Sequence, residues 1–113
     1  MIQSGENGME KMEFPEYIEE LATKVEGEND KKDMMAFTLS TCQWCKKFKR
    51  YMKEHDVAFR YVDVDQIDPD NKAQILKFLR NSYSDRISYP FLICDGEAVV
   101  GYNPNKYEEL LEG

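Results

Sequence analysis

The chain has 113 residues, of which 42% are apolar and 12% aromatic, a size and composition that support one core and one globular domain. The sequence has no run of about eighteen apolar residues, the length needed to cross a bilayer. The N-terminus also lacks the basic start and apolar stretch of a secretion signal. The net charge of −7 disfavours nucleic acid and membranes as partners. We therefore expect a cytoplasmic protein whose three cysteines are not structural disulfides.

Two segments precede the first predicted strand. Residues 1–12 mix glycine, serine, glutamate and asparagine without a hydrophobic period, which predicts a mobile tail. In residues 13–32, apolar side chains recur at helical spacing between Pro15, which suits a first helical turn, and Gly27, which suits a helix stop. We predict an added N-terminal helix and a charged linker, followed by a domain over residues 33–113.

The first two strands of that domain flank a helix. Met34–Leu39 is a short apolar run bounded by turn signals, which is typical of a buried strand. Gln43–Glu54 then has one apolar face and a lysine-rich remainder, as an amphipathic helix requires. Residues 57–65 alternate apolar and polar side chains, which predicts a strand that ends near Asp63. This order implies a right-handed crossover between two parallel strands.

A second helix and a hairpin complete the predicted sheet. Asp68 and Pro69 suit the start of the helix. Asp95 and Gly96 form a strong turn signal between two apolar runs, so the last two strands should be antiparallel. A short final helix is expected after Pro104. The predicted fold class is α/β, with a mixed four-stranded sheet flanked by helices and an extra helix at the N-terminus.

The sequence STCQWCKK places two cysteines, Cys42 and Cys45, where the first strand turns into its helix. Unpaired amides and about half a positive charge at a helix N-terminus favour the reactive thiolate, and we assign Lys46 the same effect. The position favours a redox pair over two cysteines that only pack in the core. The alternative is a zinc site that adds Cys94 and His55, although structural zinc sites usually use a second close pair.

Three segments resemble the glutaredoxin and NrdH-redoxin branch of the thioredoxin superfamily, over residues 33–112. They are FTLSTCQWCKKFKRYM after the first strand, SYPFLI at the start of the third, and GYNPNKYEELL after the hairpin. The resemblance implies a thioredoxin fold and a thiol–disulfide oxidoreductase. In that reaction Cys42 attacks a protein disulfide, Cys45 resolves the mixed disulfide, and a cis-proline, Pro90, faces the pair.

The resemblance also implies where a partner protein binds. Tyr89 would offer its backbone to an extended substrate segment, and Gly101, followed by Tyr102, would let the chain approach the site closely. Gln43 and Trp44 occupy the loop-facing positions between the cysteines. We predict that the Trp44 ring is exposed and contacts partner proteins, because aromatic residues are enriched at binding hot spots.

Two further segments bear on the electron donor. Glutathione-using members usually carry a lysine where this chain has Leu39, and a Gly-Gly or Gly-Cys followed by Asp after the hairpin, whereas GYNP resembles the Gly-Phe-Arg-Pro of NrdH-redoxins. We therefore expect a monomeric, thioredoxin-like carrier that needs no glutathione and takes electrons from a donor of the thioredoxin-reductase type. Its substrates would be disulfide-containing proteins, and ribonucleotide reductase is the target that the NrdH resemblance suggests. The alternatives are a glutathione-dependent glutaredoxin and a zinc or iron–sulfur module.

Two positions depart from the family pattern. The residue after the first cysteine is usually proline and is Gln43 here, a position that helps to set the reduction potential. Thioredoxins also keep a buried acid on the strand before the motif, and Met34–Leu39 contains none, so the sequence assigns no acceptor for the proton of Cys45. Beside the motif, Lys46 and Lys47 would attract an acidic partner.

Overall fold

The computed structural model describes residues 14–83 and 86–112, which form an α/β fold around a five-stranded sheet. The strands are β1 (Thr23–Val25), β2 (Met34–Thr38), β3 (Phe59–Asp63), β4 (Phe91–Cys94) and β5 (Glu97–Val100). The helices are α1 (Glu16–Leu21), α2 (Gln43–Glu54), α3 (Pro69–Ser82) and α4 (Pro104–Glu112), with a 3₁₀ helix over Val64–Gln66. The strand order across the sheet is β1-β3-β2-β4-β5.

The pairing confirms the predicted crossover and hairpin. β2 and β3 are parallel, with Thr38 opposite Asp63 at the end of both strands, and β4 pairs antiparallel with β2 and with β5. At the hairpin, Asp95 and Gly96 have positive φ values of 49° and 88°, as a two-residue turn that follows the twist of the strands requires. The crossover places the start of α2 at the carboxyl ends of β2 and β3.

The prediction for the N-terminal segment was wrong in part. The helix ends at Leu21 rather than near Gly27, because Ala22 is extended (φ −79°, ψ 144°). Thr23–Val25 then pairs antiparallel with Phe59–Tyr61, so the sheet has five strands instead of four. β-Branched residues suit a strand, and their pairing satisfies backbone groups on the otherwise open edge of β3.

Gly27 has a different role from the predicted helix stop. A Cβ atom at this position would lie 2.6 Å from the carbonyl oxygen of Asp56 and from the carbonyl carbon of Val57. Two residues further on, Asn29 forms backbone hydrogen bonds with the same segment. Its amide donates to the carbonyl oxygen of Asp56 at 2.8 Å, and its carbonyl oxygen accepts from the amide of Ala58 at 2.9 Å. The predicted linker is therefore bound to the segment that leads into β3, and Gly27 allows the two backbones to approach.

Arg60 of β3 also ties the N-terminal segment to the sheet. Its guanidinium pairs with the carboxylate of Glu19 on α1 and, at 2.7 Å, with that of Asp33 immediately before β2. Ile18 of α1 is fully buried against the sheet. The predicted tail over residues 1–12 lies outside the described residues.

The core has two layers, one on each face of the sheet. Alternate residues of β2 point to opposite faces, so this central strand is buried on both sides and has a continuous apolar sequence, as predicted. The layer under α2 and α4 contains Met34, Ala36, Phe48, Met52, Leu92, Tyr107 and Leu110. The layer under α1 and α3 contains Ile18, Met35, Phe37, Val62, Ile75, Leu79 and Phe91. No helix in the described residues is long and apolar enough to span a membrane.

Candidate active site

Cys42 is the N-cap residue of α2. Its backbone is extended (φ −79°, ψ 126°), and its Sγ accepts a hydrogen bond from the amide of Cys45 at 3.4 Å. The amide of Lys46 donates to the carbonyl oxygen of Cys42 at 3.0 Å. The half-buried sulfur of Cys42 therefore lies among the first-turn amides of the helix, where negative charge is favourable.

Cys45 is fully buried behind Cys42. The amide of Leu39 donates to its Sγ at 3.4 Å, across the turn that joins β2 to α2. Burial raises the pKa of the Cys45 thiol to about 12, while the hydrogen bond from Leu39 and the charge of Lys49 act in the opposite direction. Both cysteines are free thiols, and they differ sharply in access to solvent.

Asp65 fixes the turn that precedes the pair. The amide and the hydroxyl of Ser40 donate to its two carboxylate oxygens at 2.9 and 2.6 Å. Those hydrogen bonds lower the pKa of Asp65 to about 2. Sequence reasoning did not single out this residue. The available signal was its place two residues after Asp63, since the ends of parallel strands meet at one edge of a sheet.

The loop before β4 forms the other wall of the site. The Tyr89–Pro90 peptide bond is cis, as the resemblance predicted. The carbonyl oxygen of Pro90 accepts from the amide of Gly101 at 2.9 Å, and Gly101 has a positive φ of 84°. A shallow cavity of about 220 Å³ lies between this loop and α2 and is lined by Trp44, Ser88, Tyr89, Gly101 and Tyr102. Four of the six predicted substrate-binding residues therefore share one cavity.

The Trp44 ring is exposed, as predicted, with 52% of the residue accessible. It stacks on Tyr102, with ring centroids 5.7 Å apart and planes 30° apart, and the Nζ of Lys47 lies 4.8 Å from the Trp44 ring centroid. Tyr102 in turn packs against the buried ring of Tyr107. The side of the cavity that faces solvent is thus an aromatic surface with an ammonium group beside it. Gln43 is exposed beside the pair.

The structure separates the additional ligands of the predicted zinc alternative from the cysteine pair. Cys94 is buried opposite Met34, where β2 begins, whereas Cys42 follows the other end of that strand. Five strand residues span about 16 Å. His55 is exposed at the far end of α2. Within residues 14–83 and 86–112, no group of three or more His, Cys, Asp or Glu residues could hold a metal ion.

The lysines of α2 differ in their surroundings. Lys46 is exposed directly after Cys45, and its effect on the Cys42 thiolate stays a prediction. Lys49 is partly buried, and its Nζ lies 3.0 Å from a carboxylate oxygen of Asp63 and 4.1 Å from the ring centroid of Tyr61. Sequence reasoning did not single out Lys49 either. Its position four residues after Cys45 places both side chains on one face of the helix.

Comparisons with known proteins give the family. The glutaredoxin family model matches residues 34–99, which is more than half of the chain. An uncharacterised glutaredoxin-like protein of 8.6 kDa in the rubredoxin operon of Clostridium pasteurianum is 32% identical over 76 residues. That match covers 67% of this chain and 93% of the relative.

Solved structures agree with the sequence matches. The glutaredoxin of Methanosarcina mazei Go1 superimposes with a TM-score of 0.71 at 29% identity, over 81% of this chain and 88% of that one. The methanoredoxin of Methanosarcina acetivorans superimposes with a TM-score of 0.68 at 30% identity, over 74% of this chain and 88% of that one. The chain therefore belongs to the glutaredoxin family within the thioredoxin superfamily, as a glutaredoxin-like redox protein with Cys42 and Cys45 close together.

Proposed function

We propose that the protein reduces disulfides of partner proteins through Cys42 and Cys45, and that it receives electrons as thioredoxins and NrdH-redoxins do. The observation that carries this proposal is the inequality of the two thiols. Cys42 is reachable at a helix N-terminus, whereas Cys45 is fully buried directly behind it. An accessible and a hidden thiol divide the reaction into attack by the first and resolution by the second.

The reaction requires two successive exchanges. The Cys42 thiolate attacks one sulfur of the partner's disulfide, which forms a mixed disulfide and releases the other partner sulfur as a thiolate. Cys45, after losing its proton, attacks the Sγ of Cys42, and the mixed disulfide breaks. The partner leaves with both sulfurs reduced, each taking up one proton, and Cys42 and Cys45 are left as a disulfide. Two electrons have passed to the partner.

The cavity beside the pair supports a polypeptide substrate. The loop at Tyr89 and Pro90 would pair with an extended segment, Trp44 would contact its flanking side chains, and Gly101 leaves room for the backbone. The ammonium group of Lys47 over the Trp44 ring gives this surface a positive charge on an otherwise acidic protein. We therefore propose an acidic segment around the partner's disulfide, and ribonucleotide reductase as the candidate target.

The surroundings of Leu39 support a reductase rather than glutathione as the electron donor. The Leu39 side chain packs against the core layer under α3, at the position where glutathione-using members carry a charged lysine. An apolar, packed side chain offers no charge to a carboxylate of the tripeptide. A monomeric carrier in the cytoplasm, with a donor of the thioredoxin-reductase type and no resident cofactor, is the corresponding proposal.

Insulin reduction with alternative donors tests this function. We expect catalysis with a thioredoxin-type reductase and NADPH, and little with glutathione and glutathione reductase. Cys45→Ser should accumulate a mixed disulfide with insulin that is visible on a non-reducing gel, because the second exchange is blocked. Efficient recycling by glutathione alone would overturn the proposed donor. The absence of insulin reduction by any donor, including dithiothreitol, would overturn the oxidoreductase function.

A further inference from the structure

Lys49, one turn after the buried thiol on α2, is held by two side chains of β3. Its Nζ lies 3.0 and 3.3 Å from the two carboxylate oxygens of Asp63, and 4.1 Å from the ring centroid of Tyr61. The hydroxyl of Thr38, a fully buried residue, donates to Asp63 at 2.5 Å and thereby fixes the carboxylate. The ammonium group therefore has a defined position on the side of α2 that faces β3.

Cys45 lies on the same face of α2 as Lys49. Residues four apart on a helix share a face, so Lys49 lies one turn beyond Cys45 on α2. The other titratable groups that act on or face Cys45 are Cys42 in its own turn, Tyr89 from the loop before β4, and Tyr107 from α4. Among the described residues, Lys49 is the cation whose charge acts on this thiol.

Resolution of the mixed disulfide requires a Cys45 thiolate. In the free dithiol, burial and, to a smaller extent, the neighbouring Cys42 raise the pKa of Cys45 to about 12. In the mixed disulfide the contribution of the Cys42 thiol is gone, and burial still holds the pKa of Cys45 above its ordinary value. The strand before the motif, Met34–Thr38, contains no acidic residue. A compensating group is therefore needed near Cys45, and an ammonium ion is one of the groups that stabilise a thiolate in proteins.

We propose that Lys49, positioned by Asp63 and Tyr61, stabilises the Cys45 thiolate in the resolving step. This inference rests on the proposed function. Lys49 neither gives nor takes a proton. Cys45 loses its proton to solvent and attacks the Sγ of Cys42, the Cys42–Cys45 bond forms, and the bond from Cys42 to the partner breaks. The partner sulfur leaves as a thiolate and is protonated by solvent.

The ion pair can be tested by removing its positive and its negative charge in separate variants. If Lys49 acts by its charge, removing that charge makes the Cys45 thiolate harder to form. Asparagine at position 63 keeps an oxygen that can accept from the Lys49 Nζ, and the Tyr61 ring stays in place, so Asp63→Asn removes the neutralising charge without releasing the ammonium and does not make the thiolate harder to form. If the pair is only structural, loss of either charge breaks the same ion pair and has the same consequence. Lys49→Met and Asp63→Asn therefore differ only if the charge acts on Cys45.

The experiment is a stopped-flow reaction with an aromatic disulfide that releases a coloured thiolate. The first colour phase reports attack by Cys42, and the second reports resolution by Cys45, followed as a function of pH. We plot the rate of the second phase against pH and expect Lys49→Met to move the midpoint of this profile to higher pH. For each unit of that shift, the thiolate fraction falls tenfold while nucleophilicity rises about threefold, so resolution at neutral pH slows about threefold.

Three further variants complete the design. Lys49→Arg keeps the charge and should restore the wild-type midpoint, and Asp63→Asn should not raise it. Lys53→Met, at an exposed position one turn further along α2, is the matched control and should behave as wild type. Urea unfolding of each variant establishes that the measured protein is folded, and Lys49→Gln replaces Lys49→Met if the latter does not fold.

The outcomes separate this inference from the proposed function. Absence of the first phase in the wild type would remove the oxidoreductase function itself. A normal first phase with an unchanged midpoint in Lys49→Met would overturn only the role of Lys49. An equal upward shift in Lys49→Met and Asp63→Asn would show that the pair is merely structural, and would overturn it as well.

Discussion

Strand β2 has a buried cysteine near each of its ends. Near its start, Cys94 lies opposite Met34 in the register of the sheet. Burial raises the pKa of the Cys94 thiol to about 11, and the nearby carboxylates Asp95 and Glu97 act in the same direction. This thiol has no cysteine beside it in the described structure, since the other two lie at the opposite end of the strand.

Cys45, beyond the other end of β2, is buried to the same degree, and its pKa is raised to about 12. Burial therefore does not separate the proposed redox thiol from the packing thiol. The separation comes from neighbours: the sulfur of Cys42 one helical turn away and the amide of Leu39. A lysine charge acts on both buried thiols, Lys32 on Cys94 and Lys49 on Cys45. The chemistry of a buried cysteine therefore depends on its immediate partners more than on its exposure.

Removing one thiol at each end is the most severe test of this comparison. We expect Cys42→Ser to lose all insulin reduction above the rate without protein, because no nucleophile remains at the helix N-terminus. Cys94→Ala should keep the wild-type rate and cost about 1 kcal/mol of stability, since it removes one buried sulfur atom. The checks are the insulin assay and urea unfolding. Full activity in Cys42→Ser would contradict the proposed mechanism, and loss of activity in a folded Cys94→Ala would contradict the comparison.

A substitution at Gly27 tests the end of the sheet that lies opposite the active site. At that end the linker packs on the segment before β3. A methyl group on Gly27 meets backbone atoms of Asp56 and Val57 at 2.6 Å, so the two segments must separate. We expect Gly27→Ala to lower the free energy of unfolding by about 1–3 kcal/mol. The rate of insulin reduction per folded molecule should not change.

The matched control for that substitution is Glu28→Ala at the next, exposed position, measured by the same urea titration. It changes a neighbouring side chain without placing an atom between the two backbones. If Gly27→Ala were as stable as Glu28→Ala, the close approach of the backbones would not constrain this position. A slower Gly27→Ala enzyme at full folding would show that the two ends of the sheet are coupled.

Local patterns predicted most of the fold, and a non-local pairing accounts for the part that they missed. The hairpin at Asp95 and Gly96 and the crossover between β2 and β3 have signals within a few residues of sequence. The segment over residues 13–32 has an apolar period that fits a helix as far as Val25. The β-branched residues Thr23 and Val25 also suit a strand, and pairing with the edge of β3 decides between the two, although nothing near Thr23 in sequence specifies this partner.

The same distinction applies to the site. The cysteine pair, the cis-proline and the exposure of Trp44 were predicted because each belongs to a short motif. Asp63 and Asp65 were missed because they reach the motif from the end of β3 and from the 3₁₀ helix after it, with Asp65 hydrogen-bonded to Ser40 across 25 positions. Strand register brings those side chains to the turn, and register is set by the whole sheet rather than by the motif.

A smaller effect is expected at the aromatic surface of the active-site end. Trp44→Ala removes an exposed ring stacked on Tyr102 and leaves both thiols in place. We expect the KM for insulin to rise about fivefold, which corresponds to about 1 kcal/mol of contact energy, with little change in kcat. The rate with a small aromatic disulfide should not change, because such a substrate does not extend to this surface.

The control for Trp44→Ala is Trp44→Phe, which keeps an aromatic ring at this position and should retain most of the affinity. If Trp44→Ala lost the same fraction of its rate with insulin and with the small disulfide, the substitution would act on the reactivity of Cys42 and not on partner binding. An unchanged KM in Trp44→Ala would remove this surface from partner binding and leave the loop at Tyr89 and Pro90 as the proposed contact.

The smallest effect concerns the turn before the cysteine pair. This turn depends on the charge of Asp65, whereas the opposite end of the sheet depends on backbone packing at Gly27. The hydrogen bonds from Ser40 lower the pKa of Asp65 from 3.8 to about 2. A carboxyl with a lowered folded-state pKa stabilises the fold fully above pH 3.8, and this contribution is lost as the pH falls toward 2. The difference in unfolding free energy between wild type and Asp65→Asn should therefore shrink between pH 3.8 and 2.

Urea unfolding across that pH range measures the difference, and Ser40→Ala, which removes the hydroxyl donor and keeps the Asp65 carboxylate, is the matched variant. The wild type should approach Asp65→Asn in stability at the acidic end, while Ser40→Ala should show a smaller decline because one hydrogen bond to the ionised carboxylate is absent. A constant difference between wild type and Asp65→Asn would mean that the hydrogen bonds to Ser40 do not depend on the ionised form. The turn before Cys42 would then be fixed by its backbone alone, as the opposite end of the sheet is at Gly27.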